Sequence, residues 1–185
     1  MLLTLLLSLI LMASLFGLIC AAVGLIQDRR LFTTAPKDIQ AAAQDHPERF
    51  PGQRMLGWKL AALCLLVMAG VFVYGGYDGI RQGYSFWRHF ARFLTMLYLW
   101  KAFDIVCLDW LLLTKTHFFQ HFYPETEGCA GYHSFGFNRR GQLIRIAVFP
   151  FAAALMAGIA LWIGTGLFFC QRIKSKFNFF FPICK

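Results

Sequence analysis

The sequence predicts an all-α integral membrane protein: a four-helix bundle with a short surface helix in its first loop. Two observations carry this prediction. Hydrophobic residues make up 58% of the 185 and charged residues only 15%, against roughly 45–50% and about 25% in soluble domains. The apolar residues also gather in long runs, and a hydrocarbon core of ~30 Å needs about 20 helical residues to cross. A single membrane domain over 1–185 follows, with spans near 2–26, 55–76, 90–113 and 143–170. The connections are loops at 27–54 and 114–142, and a basic aromatic tail occupies 171–185.

The first run, 2–26, lacks the positive leading region of a signal peptide and is longer than its usual apolar core, so it reads as an uncleaved span. Ala13, Gly17 and Ala21 recur every fourth residue and make a stripe suited to close helix contact. In the loop that follows, Pro36 at the first turn predicts a short helix over 37–43, stopped by Pro47 and Pro51. Its few apolar positions predict shallow burial, along the membrane surface or against the other loops. His46, before a proline, reads as an exposed loop residue.

The second span carries Lys59 near its end, where a long side chain snorkels. Gly75, Gly76 and Gly79 are expected to break it. A connection over 77–89 mixes Arg81, Arg88, Tyr84 and Trp87, as membrane interfaces do. The third span, 90–113, holds Lys101, Asp104 and Asp109 inside apolar sequence, where each charge costs roughly 2.5–3.5 kcal/mol by insertion scales. Residues are retained there when they pair, line a polar cavity or do chemistry. Lys101 and Asp104 are three apart and share a helix face. At about 100° per residue, Tyr98 and Asp109 fall in the same broad sector, while Leu99, Phe103, Val106 and Trp110 lie opposite. The first sector is expected to face the bundle and the second the lipid.

This helix is expected to run on to Phe122, since Pro124 is the first proline after it. His117 and His121 would then share a face pointing away from Lys101 and Asp104, and only a break near 114–116 would let the two groups meet. The fourth span contains Pro150 and a second small-residue stripe, Ala153, Ala157, Ala160 and Gly164. The first and fourth spans are expected to touch through their stripes. The tail, with Arg172, Lys174, Lys176 and several phenylalanines, suits the interface.

The net charge of +9 reads as topology and attraction to anionic lipid; no basic patch with a reading fold supports nucleic-acid binding. The six cysteines contain no C-x-x-C pair, and a disulfide framework, zinc ribbon or thiol-oxidoreductase motif is not indicated. With four spans both termini share a side. The opposite side, bearing both large loops, is richer in Lys and Arg and is expected to be cytoplasmic, in a multi-pass protein of the cell membrane.

Candidate chemistry is sparse. His117 and His121, with Glu125 nearby, have metal-ligand potential. Glu127 has no nucleophile beside it, but a general base there stays open. No nucleophile elbow or phosphate-binding glycine loop is present. Phe103-Asp104, then Asp109-Trp110, then Pro124-x-Thr126-Glu127-Gly128 and Gly131-Tyr132 together resemble a pattern in small multi-pass bacterial membrane proteins of unassigned function. That resemblance covers the second half of the chain. It implies a bacterial cytoplasmic membrane protein and points to Asp104, Asp109 and Glu127, without an activity.

Three functional readings follow. The first is a binding or transport-type protein with a polar intramembrane site at Lys101, Asp104, Asp109 and Tyr98. It would act as a homo-oligomer or within a larger complex, because transporters usually use repeated halves. The second is a membrane-embedded enzyme acting on a lipid or lipid-linked substrate through Glu127, His117 and His121, with a metal as the possible cofactor. The third is an accessory subunit with a structural polar core.

Overall fold

A computed structural model describes residues 1–32, 35–133, 136 and 138–180, with side chains except at Phe32 and 167–180. Among the described residues every regular element is helical. α1 (Leu2–Ala21) continues into a π-helical turn, Ala22–Ile26, and stops at Gln27 in the left-handed region. α2 (Lys37–Ala42) is the short helix of the first loop. α3 (Gln53–Arg81) and α4 (Phe86–Phe103) form an antiparallel pair. α4 runs without a stop into a second π-helical segment, Asp104–Lys115. After the short α5 (Phe118–Phe122), α6 (Arg139–Phe180) takes in both the expected fourth span and the backbone of the first part of the tail. The side chains of the tail, for which an interfacial role is expected, lie outside the described residues.

Among the described residues three helical stretches are long and apolar enough to cross a membrane: Leu2–Ile26, Gln53–Arg81 and Arg139–Gly166. α4 is not among them, since it carries Arg88, Arg92 and Lys101 within 18 residues. It nevertheless packs against α1, α3 and α6. Leu7 and Leu11 of α1, Val71 of α3, Phe93, Met96 and Leu97 of α4, and Ala153, Ala157 and Ala160 of α6 form one buried core.

Two expectations about the helices are corrected. Gly75, Gly76 and Gly79 do not break the second apolar helix; they lie inside α3 and are buried. Each interior glycine costs a helix roughly 1 kcal/mol relative to alanine, and here close packing offsets it. A Cβ at Gly79 would stand 2.4 Å from the His89 ring, and one at Gly76 would stand 3.5 Å from Phe93. The missing side chains let α4 lie against α3.

The small-residue stripes likewise do not meet each other. Gly17 faces Cys64 of α3, with a Cβ position 3.2 Å from its Sγ. Ala21 packs with Ala61, and Ala13 is exposed. On α6, Ala153 and Ala157 pack in the core with the aromatic and aliphatic residues of α4, while Gly164 faces Ile80 of α3. The first stripe thus packs against small residues of α3, and the second against large side chains of α4 and α3.

The end of α1 is tied to the start of α3. Gln53 Nε2 donates to the Leu25 carbonyl at 2.9 Å and to Gln27 Oε1 at 3.3 Å. Gly57 lies so close to α1 that a Cβ would stand 2.7 Å from Ile26.

Candidate functional site

Lys101, in the last turn of α4, is 4% exposed and forms an ion pair with Asp104 Oδ2. Burial of a lysine requires such a partner, because a desolvated ammonium without a counter-charge costs several kcal/mol. At Asp104 the backbone stays right-handed, but the hydrogen bonding changes from i→i−4 to i→i−5 and remains so for 12 residues. The Thr116 amide, for example, donates to the Leu111 carbonyl at 2.9 Å. π segments are rare, short and concentrated at functional sites.

That winding changes which side chains are neighbours. On an α-helix, residues five apart are separated by about 140° around the axis. On a helix closed by i→i−5 bonds they sit one turn apart on one side. Asp104 and Asp109 are five apart, and both line one cavity. Its volume is about 100 Å³, and its other walls include Ile19, Val23, Leu113 and Phe119. The π-helical end of α1 thus faces the π-helical end of α4 across this space. Asp109 Oδ2 also accepts a 2.5 Å hydrogen bond from Gln142 Nε2, at the start of α6. Tyr98 is apart from the cavity: 37% exposed, its ring lies 6.0 Å from Phe149 on α6. Val106 and Trp110 of the opposite sector are exposed.

A cap built from both loops closes this end of the molecule. The helix does not run to Phe122 as expected; it ends at Thr116, whose backbone leaves the helical region. α5 starts in a new direction and brings Phe119 to the cavity. His117 and His121 are exposed at the ends of α5: His117 Nδ1 contacts Gln120 Oε1, and the His121 ring packs edge-on against Phe122 at 5.0 Å. Glu125 is engaged elsewhere, with the His46 ring nitrogen at 3.1 Å and the Gln44 amide at 2.9 Å. No three metal-ligating side chains come together among the described residues, so the break does not assemble His117, His121 and Glu125 into one centre. Glu127 is exposed.

The short helix of the first loop buries more than its composition predicts. Ile39 is fully buried, packed with Ala43, Tyr123, Tyr132, Val23 and Leu113. The Gly131 amide donates to Asp38 Oδ2 at 2.6 Å, and a Cβ there would meet Pro36 at 2.6 Å. Thr126 Oγ1 donates to the Tyr123 carbonyl at 2.7 Å and bonds the Tyr132 hydroxyl at 2.6 Å. The Pro-x-Thr-Glu-Gly-x-x-Gly-Tyr pattern is therefore the docking surface between the two loops. Burial resists the charge of Glu125, but the Gln44 amide, its own amide and His46 outweigh it and hold the carboxyl below its ordinary range. Burial pushes the Tyr132 and Tyr123 hydroxyls up.

A second polar cluster, at the opposite end of α4, escaped the sequence reading. Arg92 is 5% exposed; its Nη1 donates to the Gly75 carbonyl and to Asp78 Oδ2, each at 2.8 Å, and its Nη2 donates to the Tyr84 hydroxyl at 2.9 Å. His89 beside it is fully buried. The signal was the one that marked Lys101: a charge inside apolar sequence. The place of Arg92 close to the end of its apolar run, where arginines ordinarily snorkel, masks that signal. No protein-family model, curated protein or solved structure matches the chain.

Proposed function

We propose that this chain is a four-span membrane protein of the binding or transport type, taking a proton or a small monovalent cation at Asp104 and Asp109. The observation that carries the reading is the convergence of both carboxylates on one small cavity between two π-helical segments. Asp104 and Asp109 repel each other across the cavity, with Lys101 and, from α6, Arg145 as the cations acting on them, and a bound proton or small cation relieves that repulsion. About 100 Å³ accommodates on the order of three waters at ~30 Å³ each, which suits a small ion with part of its hydration.

In this reading α4 with its π-helical continuation is the third crossing, and its inner charges Arg92, Lys101 and Asp104 are tolerated because they pair. Both loops face the cytoplasm, and the loop cap covers the site from that side. One copy offers half of the usual transporter architecture, so the working form is a homo-oligomer or a larger membrane complex. The enzyme reading draws less support, because Glu127, His117 and His121 are exposed.

The test is ion flux in proteoliposomes holding a dye selective for protons, sodium or potassium, with the gradient of that ion imposed in turn. The wild-type chain is expected to carry one of these ions, and Asp109→Asn to lower the rate at least tenfold at unchanged melting temperature. Flux indifferent to Asp109→Asn, or no flux with any of the three, overturns the proposal.

A further inference from the structure

At the end of α4 remote from the carboxylates, a cleft of about 330 Å³ lies between the first turns of α1 and α4. That volume is at the low end for small-molecule sites, roughly 300–1,000 Å³. Its walls include Thr4 and Leu5 from α1 and Tyr84, Arg88, Arg92 and Thr95 from α4 and the turn before it. Three features of positive sign converge here. Arg88 and Arg92 are four apart and therefore neighbours on one helix face. Arg92 is rigidly held by Asp78, Gly75 and Tyr84, and its Nε, though buried, has no hydrogen-bond partner. Arg88 is exposed, with its guanidinium 5.9 Å from the Tyr84 ring centre. Both α1 and α4 also begin at this cleft, and neither has a side chain capping its first turn. Helix starts carry about half a positive charge each and present free amides. Asp78 balances only one of the arginines.

The apolar side of the cleft identifies the source of the anion. Leu5 lines it, and on the first turns of the same helix Leu2, Leu6 and Leu9 are 74%, 48% and 58% exposed. A polar, positively charged recess that opens onto an exposed leucine surface matches a phosphate carried on an acyl chain. We propose that this cleft binds the phosphate-bearing headgroup of an anionic membrane lipid, with Arg88 and Arg92 on the phosphate, the Thr4 and Thr95 hydroxyls beside it, and the acyl chain along α1. The site rests on the membrane location of α1 and is independent of any ion bound at Asp104 and Asp109.

Native mass spectrometry of the full chain in zwitterionic detergent tests it, with phosphatidylglycerol, phosphatidylcholine or inorganic phosphate added separately. Retention of phosphatidylglycerol over phosphatidylcholine is expected, together with a loss of about tenfold in affinity, one charge-assisted contact, in Arg88→Gln. Thr95→Val is expected to weaken binding less, and Arg145→Gln, at the far end of the molecule, to leave it unchanged. Arg88 and Thr95 are exposed, so both variants keep the fold. Equal retention of the two lipids overturns the proposal outright, and equal losses in Arg88→Gln and Arg145→Gln overturn it in favour of unspecific charge attraction. Arg88-dependent binding of inorganic phosphate without lipid selectivity overturns the lipid assignment.

Discussion

Lys101 and Asp104 are the residues on which the polar site depends. Neither is stable in its position without the other, and removing one partner of a buried pair costs about 3–5 kcal/mol. Asp104 keeps 22% of its side-chain surface, so Asp104→Asn is expected near the lower end of that range, as a fall in melting temperature in detergent. Replacing both residues by apolar ones of similar volume, Lys101→Met with Asp104→Leu, should restore most of that temperature. The same double variant should still fail in the flux assay. If the single and double variants melt alike, Lys101 is being held by something other than this carboxylate.

A second residue-scale expectation concerns the loop cap. The Glu125 carboxyl is held low in the folded chain, so its charge stabilises the cap above its unfolded pKa, about 4.3. That contribution is lost as pH falls through the lower, folded value. Protection of the Gln44 amide against hydrogen exchange should therefore decline below about pH 4.3, and Glu125→Gln should show the weakened protection already at neutral pH. A Gln44 amide equally protected in both proteins would remove Glu125 from the docking of the loops.

At the scale of elements, glycine in α3 separates two roles that look alike in the sequence. A Cβ at Gly79 would stand 2.4 Å from the His89 ring, whereas one at Gly70 meets nothing within 4 Å. Gly79→Ala is expected to destabilise by about 1–3 kcal/mol through overpacking, and His89→Ala in the same chain to recover part of the loss. Gly70→Ala should stabilise by roughly 0.5–1 kcal/mol through helix propensity. Thermal unfolding of the four proteins side by side measures all three effects. A Gly79→Ala protein as stable as Gly70→Ala would mean that α3 and α4 are farther apart than the contact with His89 implies.

For the whole molecule, the arrangement of four packed helices makes a topological prediction. If α4 and its π-helical continuation cross the membrane, Gln82 and Glu127 lie on opposite faces of it. In sealed vesicles, Gln82→Cys and Glu127→Cys should react with a membrane-impermeant maleimide from opposite sides, each judged against the unaltered chain. Labelling of both from one side would leave three crossings and remove the fourth.

Much of this architecture was legible in advance. Long apolar runs specify long helices, and three of them emerged with the length and hydropathy of membrane spans. Lys101 and Asp104 were legible as a pair because their spacing is local, and local geometry follows from helical period alone. The burial of Ile39, the partner of each small-residue stripe and the continuation of α3 through three glycines were not. Each depends on what a distant segment presents: Tyr123 and Tyr132 to Ile39, Cys64 to Gly17, His89 to Gly79. The convergence of Asp104 and Asp109 was hidden for a related reason. Composition and period determined that charged residues stand within an apolar helix. Only the tertiary structure decided that the helix is wound with i→i−5 bonds where it packs against the end of α1 and the loops, and that winding sets two carboxylates facing one cavity.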